Sequence, residues 1–308
     1  MKREINLICF IFVARSDAGF IAKSLPPLLK MSNQANCKIK VILDATSPKG
    51  VLGRTLPHSD LTDIIKKLKA IQSHHSFEID IFSPKTNEVY DLAITHFGSA
   101  FKETHCFRGY PIFGSFKQFT DTSSKYLLHL DCDMIFYEDP NFSWIQEGMR
   151  IMEENEDILC VLPKGGPPTK DGTLHQGTTK YQTDKKRELF LFKNFTSRHY
   201  LIHKERFMSL LPLKPLWLSW REPIKSRVLG KGKMLCWESM VGEALENSNL
   251  WRADLMTDQA WSIHPGDRSA EFYKLLPKII ESVSRNDFPD NQRGHFDLRL
   301  GDWHAYLN

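Results

Sequence analysis

A mixed α/β fold, with a mostly parallel sheet flanked by helices, is what this sequence predicts. Three observations carry the expectation. Residues 5 to 82 read strand, helix, strand, helix, strand; a later run, Tyr126–Leu130, is too apolar for a sheet edge; and that run ends on two aspartates, Asp131 and Asp133. Alternating strands and helices favour parallel pairing through right-handed crossovers. Strands buried on both faces read as continuous apolar runs.

Taken in order, Ile5 to Ala14 is rich in Ile, Val and Phe and reads as a buried strand. Asp17 is placed to cap a helix from Ala18 towards Met31, which Pro26-Pro27 is expected to break or restart. Lys38 to Asp44 is a second strand ending on an aspartate, followed by the turn-rich Ala45–Gly50. Apolar residues at 61, 64, 65, 68 and 71 have helical spacing, and Phe77–Phe82 is a third strand. A longer helical connection follows, with Arg108-Gly109 in a loop and a helix beginning over Ile112–Phe119.

After Asp139-Pro140 the pattern changes. A helix from about Ser143 to Asn155 leads into a strand over Ile158–Leu162. Pro163–Lys186 is polar and without apolar periodicity; so long a loop in a compact domain is usually functional, as a lid or acceptor-binding segment. Short strands are expected over Glu188–Phe192 and Arg198–His203. Trp217 and Trp220 follow, and an exposed tryptophan can stack on a sugar ring, although core packing is its commoner fate. Leu235, Val241 and Leu245 put Glu238 near a helix start, where the dipole favours a carboxylate. A short strand brings His264 to the Pro265-Gly266 turn, Glu271–Ser284 is an amphipathic helix, and the tail to Asn308 is polar and aromatic.

The chemistry concentrates at Asp131-Cys132-Asp133. Residues two apart on an extended chain share a side, so the two carboxylates can converge on a hard cation such as Mg²⁺ or Mn²⁺. The tripeptide alone is common, and two solvated loop aspartates are the plain alternative. Its place after a buried strand favours a ligand site, because open α/β sheets bind ligands at the carboxyl ends of their strands. Arg108 can grip a diphosphate through its fork or be a surface arginine. His264 is a structural histidine or completes a metal site.

Composition narrows the classes. With 41% hydrophobic and 25% charged residues and a formal charge of +4, the chain reads as globular and not as a dedicated nucleic-acid binder. The six cysteines are widely spaced without a C-x-x-C pair, which favours reduced thiols and a cytoplasmic setting. Glu4 and Asn6 interrupt the N-terminal apolar run, making it a strand rather than a signal peptide. No stretch approaches the ~20 apolar residues of a membrane span.

Together these landmarks resemble the GT-A class of nucleotide-sugar glycosyltransferases, nearest the family 2 pattern, over most of residues 5 to 268. The likeness rests on the first strand, the strand ending at Asp44, the Asp131-Cys-Asp133 site, and Glu238 followed by His264. It implies a Rossmann-like fold with residues 1–268 as one domain, a nucleotide-binding half over 1–139 and an acceptor half over 140–268. Residues 269–308 would form a helical extension. The resemblance further implies an inverting hexosyltransferase that takes a nucleotide-sugar, a UDP-sugar foremost, to a hydroxyl of a glycan, polysaccharide or lipid-linked acceptor. It implies donor contacts from Ala14, Arg15, Asp44, Arg108, Asp131 and Cys132, and Mn²⁺ or Mg²⁺ on Asp131, Asp133 and His264. Glu238 becomes the general base, with Trp217, Trp220 and Trp237 towards the acceptor. Asp44-Ala-Thr-Ser and Glu238-Ser239 depart from the family's Asp-Asp-Gly-Ser run and paired acidic base.

Two other readings keep the fold. A sugar-phosphate nucleotidylyltransferase needs a Gly-rich loop after the first strand, where Ala14–Gly19 has one glycine. A non-catalytic glycan- or protein-binding module is the other. Peripheral membrane contact through the basic balance and the C-terminal helix stays open.

Overall fold

The structure is a computed structural model that describes residues 6–46, 60–175, 179–266 and 268–307. Residues 1–5, part of the Ala45–Gly50 turn, residues 176–178 of the long loop and Asp267 lie outside these. The fold is mixed α/β, as the sequence predicts. Its nine-stranded sheet opens with β1 (Leu7–Ala14), β2 (Lys38–Asp44) and β3 (Glu78–Phe82), then β4 (Tyr126–Asp131). These four lie in the order β3-β2-β1-β4 and pair in parallel. The chain runs outward from β1 to β3 and then returns to the other side of β1. That reversal leaves a crevice at the carboxyl ends of β1 and β4, the place where such sheets bind ligands.

Beyond β4 the sheet continues through β10 (His199–His203), β6 (Ile158–Leu162), β11 (Trp251–Leu255), β9 (Leu189–Phe192) and β8 (Gln182–Asp184). Strand β10 is antiparallel to both β4 and β6. A second sheet, ordered β5-β12-β7, joins β5 (Ile135–Glu138), β12 (Ala260–Ile263) and β7 (Lys164–Gly165).

The two-residue period of β1 divides the core. Leu7, Cys9, Ile11 and Val13 face one side, with α1 (Ile21–Gln34), α2 (Leu61–Gln72), α5 (Trp144–Glu154) and α9 (Ala270–Ser284). Ile8 and Phe10 face the other, with α3 (Thr86–Phe97), α4 (Phe113–Thr120), α6 (Lys204–Met208) and α8 (Trp237–Glu246). Helix α7 (Glu222–Leu229) lies before α8, and α10 (Leu300–Leu307) ends the described chain. Asp60 caps α2, Ser143 caps α5 and Ser269 caps α9 through side-chain oxygens.

Two expectations need correction. Pro26 and Pro27 do not break α1. Ile21, Leu25, Leu28 and Leu29 are buried in the core, and that packing outweighs the missing backbone donors. Asp17 does not cap α1: it sits in a 3₁₀ turn, Arg15–Gly19, and its Oδ2 accepts from the Ala14 N–H at 2.7 Å. Helix α9 buries Phe272, Leu275, Leu276, Ile279 and Val283 in the core. Its apolar face is therefore taken up within the protein.

Candidate active site

The strand ends converge as the topology requires. In register, Ala14 pairs with Asp44 and Phe12 with Asp131, so both carboxylates flank the end of β1. A cavity of about 300 Å³ opens there. It is lined by Ala14, Arg15, Asp44, Asp131, Cys132, Asp133, Trp237, Glu238 and His264, all named from the sequence.

Asp44 Oδ1 accepts from the Thr46 N–H at 2.8 Å and the Thr46 hydroxyl at 2.5 Å. Its Oδ2 is buried without a hydrogen-bond partner among the described residues. Burial raises its pKa against the lowering bonds from Thr46. A buried acceptor without a donor is costly.

Asp131 is held from two directions. His129 stacks between Phe12 and Tyr200, with its Nδ1 3.3 Å from Gln118 Oε1, and its Nε2 lies 3.3 Å from Asp131 Oδ1. Arg198 reaches Oδ2 at 3.3 Å. Burial pushes the Asp131 carboxyl up, but the His129 bond and the Arg198 charge prevail and hold it below its ordinary value. Arg198 stands opposite for a backbone reason: it immediately precedes β10, and its carbonyl accepts the Asp131 N–H at 2.7 Å.

Asp133 lies in the turn after β4. Strand β12 pairs Ile263 with Ile135 of β5, which carries His264 beside that turn, with Nε2 3.7 Å from Asp133 Oδ2. His264 Nδ1 faces Asp297 Oδ1 at 3.6 Å. Arg268 bridges two acids, donating to Asp133 Oδ2 and Asp17 Oδ1, each at 2.7 Å. Asp17 is pushed up by burial and drawn down by Arg268, and Cys132 Sγ donates to its Oδ2 at 3.1 Å.

The expected metal trio is only partly assembled. Among the described residues, no three His, Cys, Asp or Glu side chains group closely enough to hold an ion. Asp131 is engaged by His129 and Arg198, and Asp133 Oδ2 by Arg268, with His264 beside Asp133. Asp133 Oδ1 is buried without a partner among the described residues. Mg²⁺ usually keeps water and binds through only one or two carboxylates, so Asp133 and His264 are the residues that would hold such an ion here.

Glu238 lies in the first turn of α8, and its Oε1 accepts from the Ser197 N–H at 2.8 Å and the Ser197 hydroxyl at 2.6 Å. It also borders a second cavity of about 230 Å³, lined by Pro163, Asn194, His199 and the buried Arg252–Asp254 pair. His199 Nε2 lies 3.0 Å from Ser262 Oγ, and Nδ1 has no partner among the described residues. Burial lowers this imidazole to about 3, so it is neutral.

Three expected residues stand elsewhere. Arg108 is exposed, with its guanidinium over the Phe107 ring, and does not line the cavity; Arg198 and Arg268 take that place. Trp217 packs edge-on to Phe101, and Trp220 is exposed on the outside of the molecule. Trp237 lines the cavity but is buried against Phe116 and Phe195. Sequence reasoning also missed Asp17, Thr46 and a thiol pair. Cys236, the residue before α8, donates from Sγ to Cys106 Sγ at 3.1 Å. That bond, outweighing burial and aided by amides of the turn closed by Gly109 (φ 103°), lowers Cys106 to about 6.

No family model matches the chain, and no curated protein does. Among solved structures it is similar to S. aureus TarS residues 1–349 in complex with UDP-GlcNAc, at 10% identity and TM-score 0.43, over 90% of this chain and 64% of that one. A UDP-glucose pyrophosphorylase complexed with UDP-glucose matches at 8% identity and TM-score 0.44, over 89% and 98%. An active-site mutant of LgtC matches at 8% and 0.42, over 93% and 99%. The chain spans 38% of the longer TarS chain. All these TM-scores lie under 0.5, so none of the likenesses bears on activity, substrate or site residues.

Proposed function

We propose that the protein is a glycosyltransferase that moves a sugar from a nucleoside-diphosphate donor to an acceptor hydroxyl, with inversion. One observation carries this reading: Asp44, Asp131, Asp133, Glu238 and His264 line one cavity at a topological switch point, where Asp44 and Asp133 each keep a buried, unpartnered oxygen among the described residues.

In this reading Asp44 Oδ2 accepts from the nucleobase. Arg198 and Arg268 face the diphosphate and share its growing charge through charge-assisted hydrogen bonds. Asp133 and His264 would hold a divalent cation, which supplies charge neutralisation at the leaving diphosphate. The acceptor enters from the second cavity, which shares Glu238 with the lining of the first. Its oxygen attacks the anomeric carbon as the bond to the diphosphate breaks, and the leaving group departs with the electron pair. Glu238 takes the hydroxyl proton, and Ser197 holds the carboxylate for it.

A panel of nucleotide-sugars with Mn²⁺ tests the proposal, reading nucleoside diphosphate release and thermal shift on wild type and Asp133→Ala. Release from one donor by wild type, lost in the variant, supports the reading. A folded protein that neither binds nor turns over any donor sinks it.

A further inference from the structure

Among the described residues, eight large hydrophobic side chains are exposed, and five of them fall between Leu218 and Leu229. They are Leu218, Trp220, Ile224, Val228 and Leu229, each between 50% and 74% exposed. Scattered exposed apolar residues are ordinary, whereas a concentrated patch marks an interaction site.

Helix α7 explains the concentration, because it is folded with its polar side inward. Glu222 and Ser226, one turn apart, are its buried residues. Ser226 Oγ donates to Glu103 Oε2 at 2.6 Å, the Gly232 N–H to Glu103 Oε1 at 2.6 Å, and the Lys233 N–H to Glu222 Oε2 at 2.9 Å. These bonds fix the helix by its hydrophilic side and turn Ile224 and Val228, also one turn apart, to the outside. Such a helix gains nothing from its apolar face in water alone.

Along the sequence the segment's charge is one-sided, with Lys214 paired to Glu243 outside it. Residues 214 to 233 contain Lys214, Arg221, Lys225, Arg227, Lys231 and Lys233 against one acid, Glu222. Six positive charges less one negative give +5 in this segment, against +4 for the whole chain. All six bases are exposed, and the one acid is buried. Lysine is depleted at protein–protein interfaces. An apolar strip with an exposed tryptophan and a basic surround instead suits the headgroup layer of an anionic bilayer, where phosphates meet the cations and acyl chains the apolar side.

We propose that Leu218–Lys233 is a membrane-docking face that seats α7 in the surface of an anionic phospholipid bilayer. The segment is rigidly carried: the Leu218 N–H bonds Lys233 O at 2.9 Å and the Leu235 N–H bonds Leu216 O at 2.8 Å, closing its two ends into a ladder. Cys236 and the Glu238 helix follow directly in the chain. The proposal is independent of the transferase reading.

Co-sedimentation of the full chain with vesicles tests it, using phosphatidylcholine alone and phosphatidylcholine mixed with phosphatidylglycerol, at low and high salt. The variants are Trp220→Ser with Val228→Ser, and Lys231→Glu with Lys233→Glu; all four residues are exposed, and circular dichroism checks the fold. Wild type is expected to pellet with the anionic vesicles, with binding weakened by salt and at least about tenfold in each variant. No binding of folded wild type, equal binding to neutral vesicles, or unchanged binding of the serine variant would overturn it. So would self-association of the free protein that the serine variant abolishes, since the face would then belong to a second copy.

Discussion

Arg198 engages Asp131 twice, through its carbonyl, which accepts the Asp131 N–H at 2.7 Å, and through its guanidinium, 3.3 Å from the carboxylate. The antiparallel pairing of β10 with β4 makes the first contact, and the second follows from it. On the proposed reading, Arg198→Ala is expected to lower nucleoside diphosphate release by about 10- to 150-fold, the worth of one charge-assisted hydrogen bond. Arg198→Lys should fall between, keeping the charge without the planar fork. Steady-state release assays on the three proteins measure this; full activity in Arg198→Ala would remove it from the site.

Asp44 is expected to act on binding and not on the chemical step, because it lies at the nucleobase end of the proposed donor. Asp44→Asn should raise KM for the donor about tenfold while leaving kcat within about twofold, the pattern of lost uniform binding. A large loss of kcat with unchanged KM would contradict the placement.

Glu138 provides a pH test that does not depend on function. Burial raises this carboxyl from 4.5 to about 7, against the lowering bond from the Trp144 N–H. The folded state therefore binds the proton more tightly than the unfolded chain. This contribution to stability is fully present below about pH 4.5 and is lost as pH rises through 7. Glu138→Gln should remove about 1–3 kcal/mol of that decline. Urea midpoints of wild type and variant across this window measure it, and parallel curves would show that Glu138 does not titrate there.

Gly148 reports on the packing of α5 against the sheet. A Cβ at this position would stand 2.9 Å from Leu201 Cδ2 and 3.2 Å from Val161 Cβ. Gly148→Ala is expected to destabilise by about 1–3 kcal/mol through overpacking, despite alanine's better helix propensity. A denaturation midpoint at or above that of wild type would refute the close approach.

Most strands, most helices and the aspartates at strand ends were legible in the sequence. Their signals are local: a period of two or 3.6, a capping residue, a run of Val, Ile and Leu. Strand β5 was not legible, nor were the short β7 and β8, at the two ends of the Pro163–Lys186 segment read as a loop. Helix α7 escaped notice because its buried residues, Glu222 and Ser226, are polar and its apolar residues are outside, the reverse of the usual signature. Arg108 was the nearest arginine ahead of the aspartate pair along the chain, but the arginines at the cavity come from other elements.

By itself, then, the sequence determined that an apolar strand would carry Asp131 and Asp133 to the edge of a buried sheet. Alternation and hydrophobic periodicity act over a few residues. Only the tertiary structure decided what those carboxylates meet. Arg198 arrives from 67 residues beyond Asp131, and Arg268 from 135 beyond Asp133. The pairing of β10 with β4 and of β12 with β5 brings them there, and strand register between distant segments is set by burial of both faces at once, which no local pattern encodes.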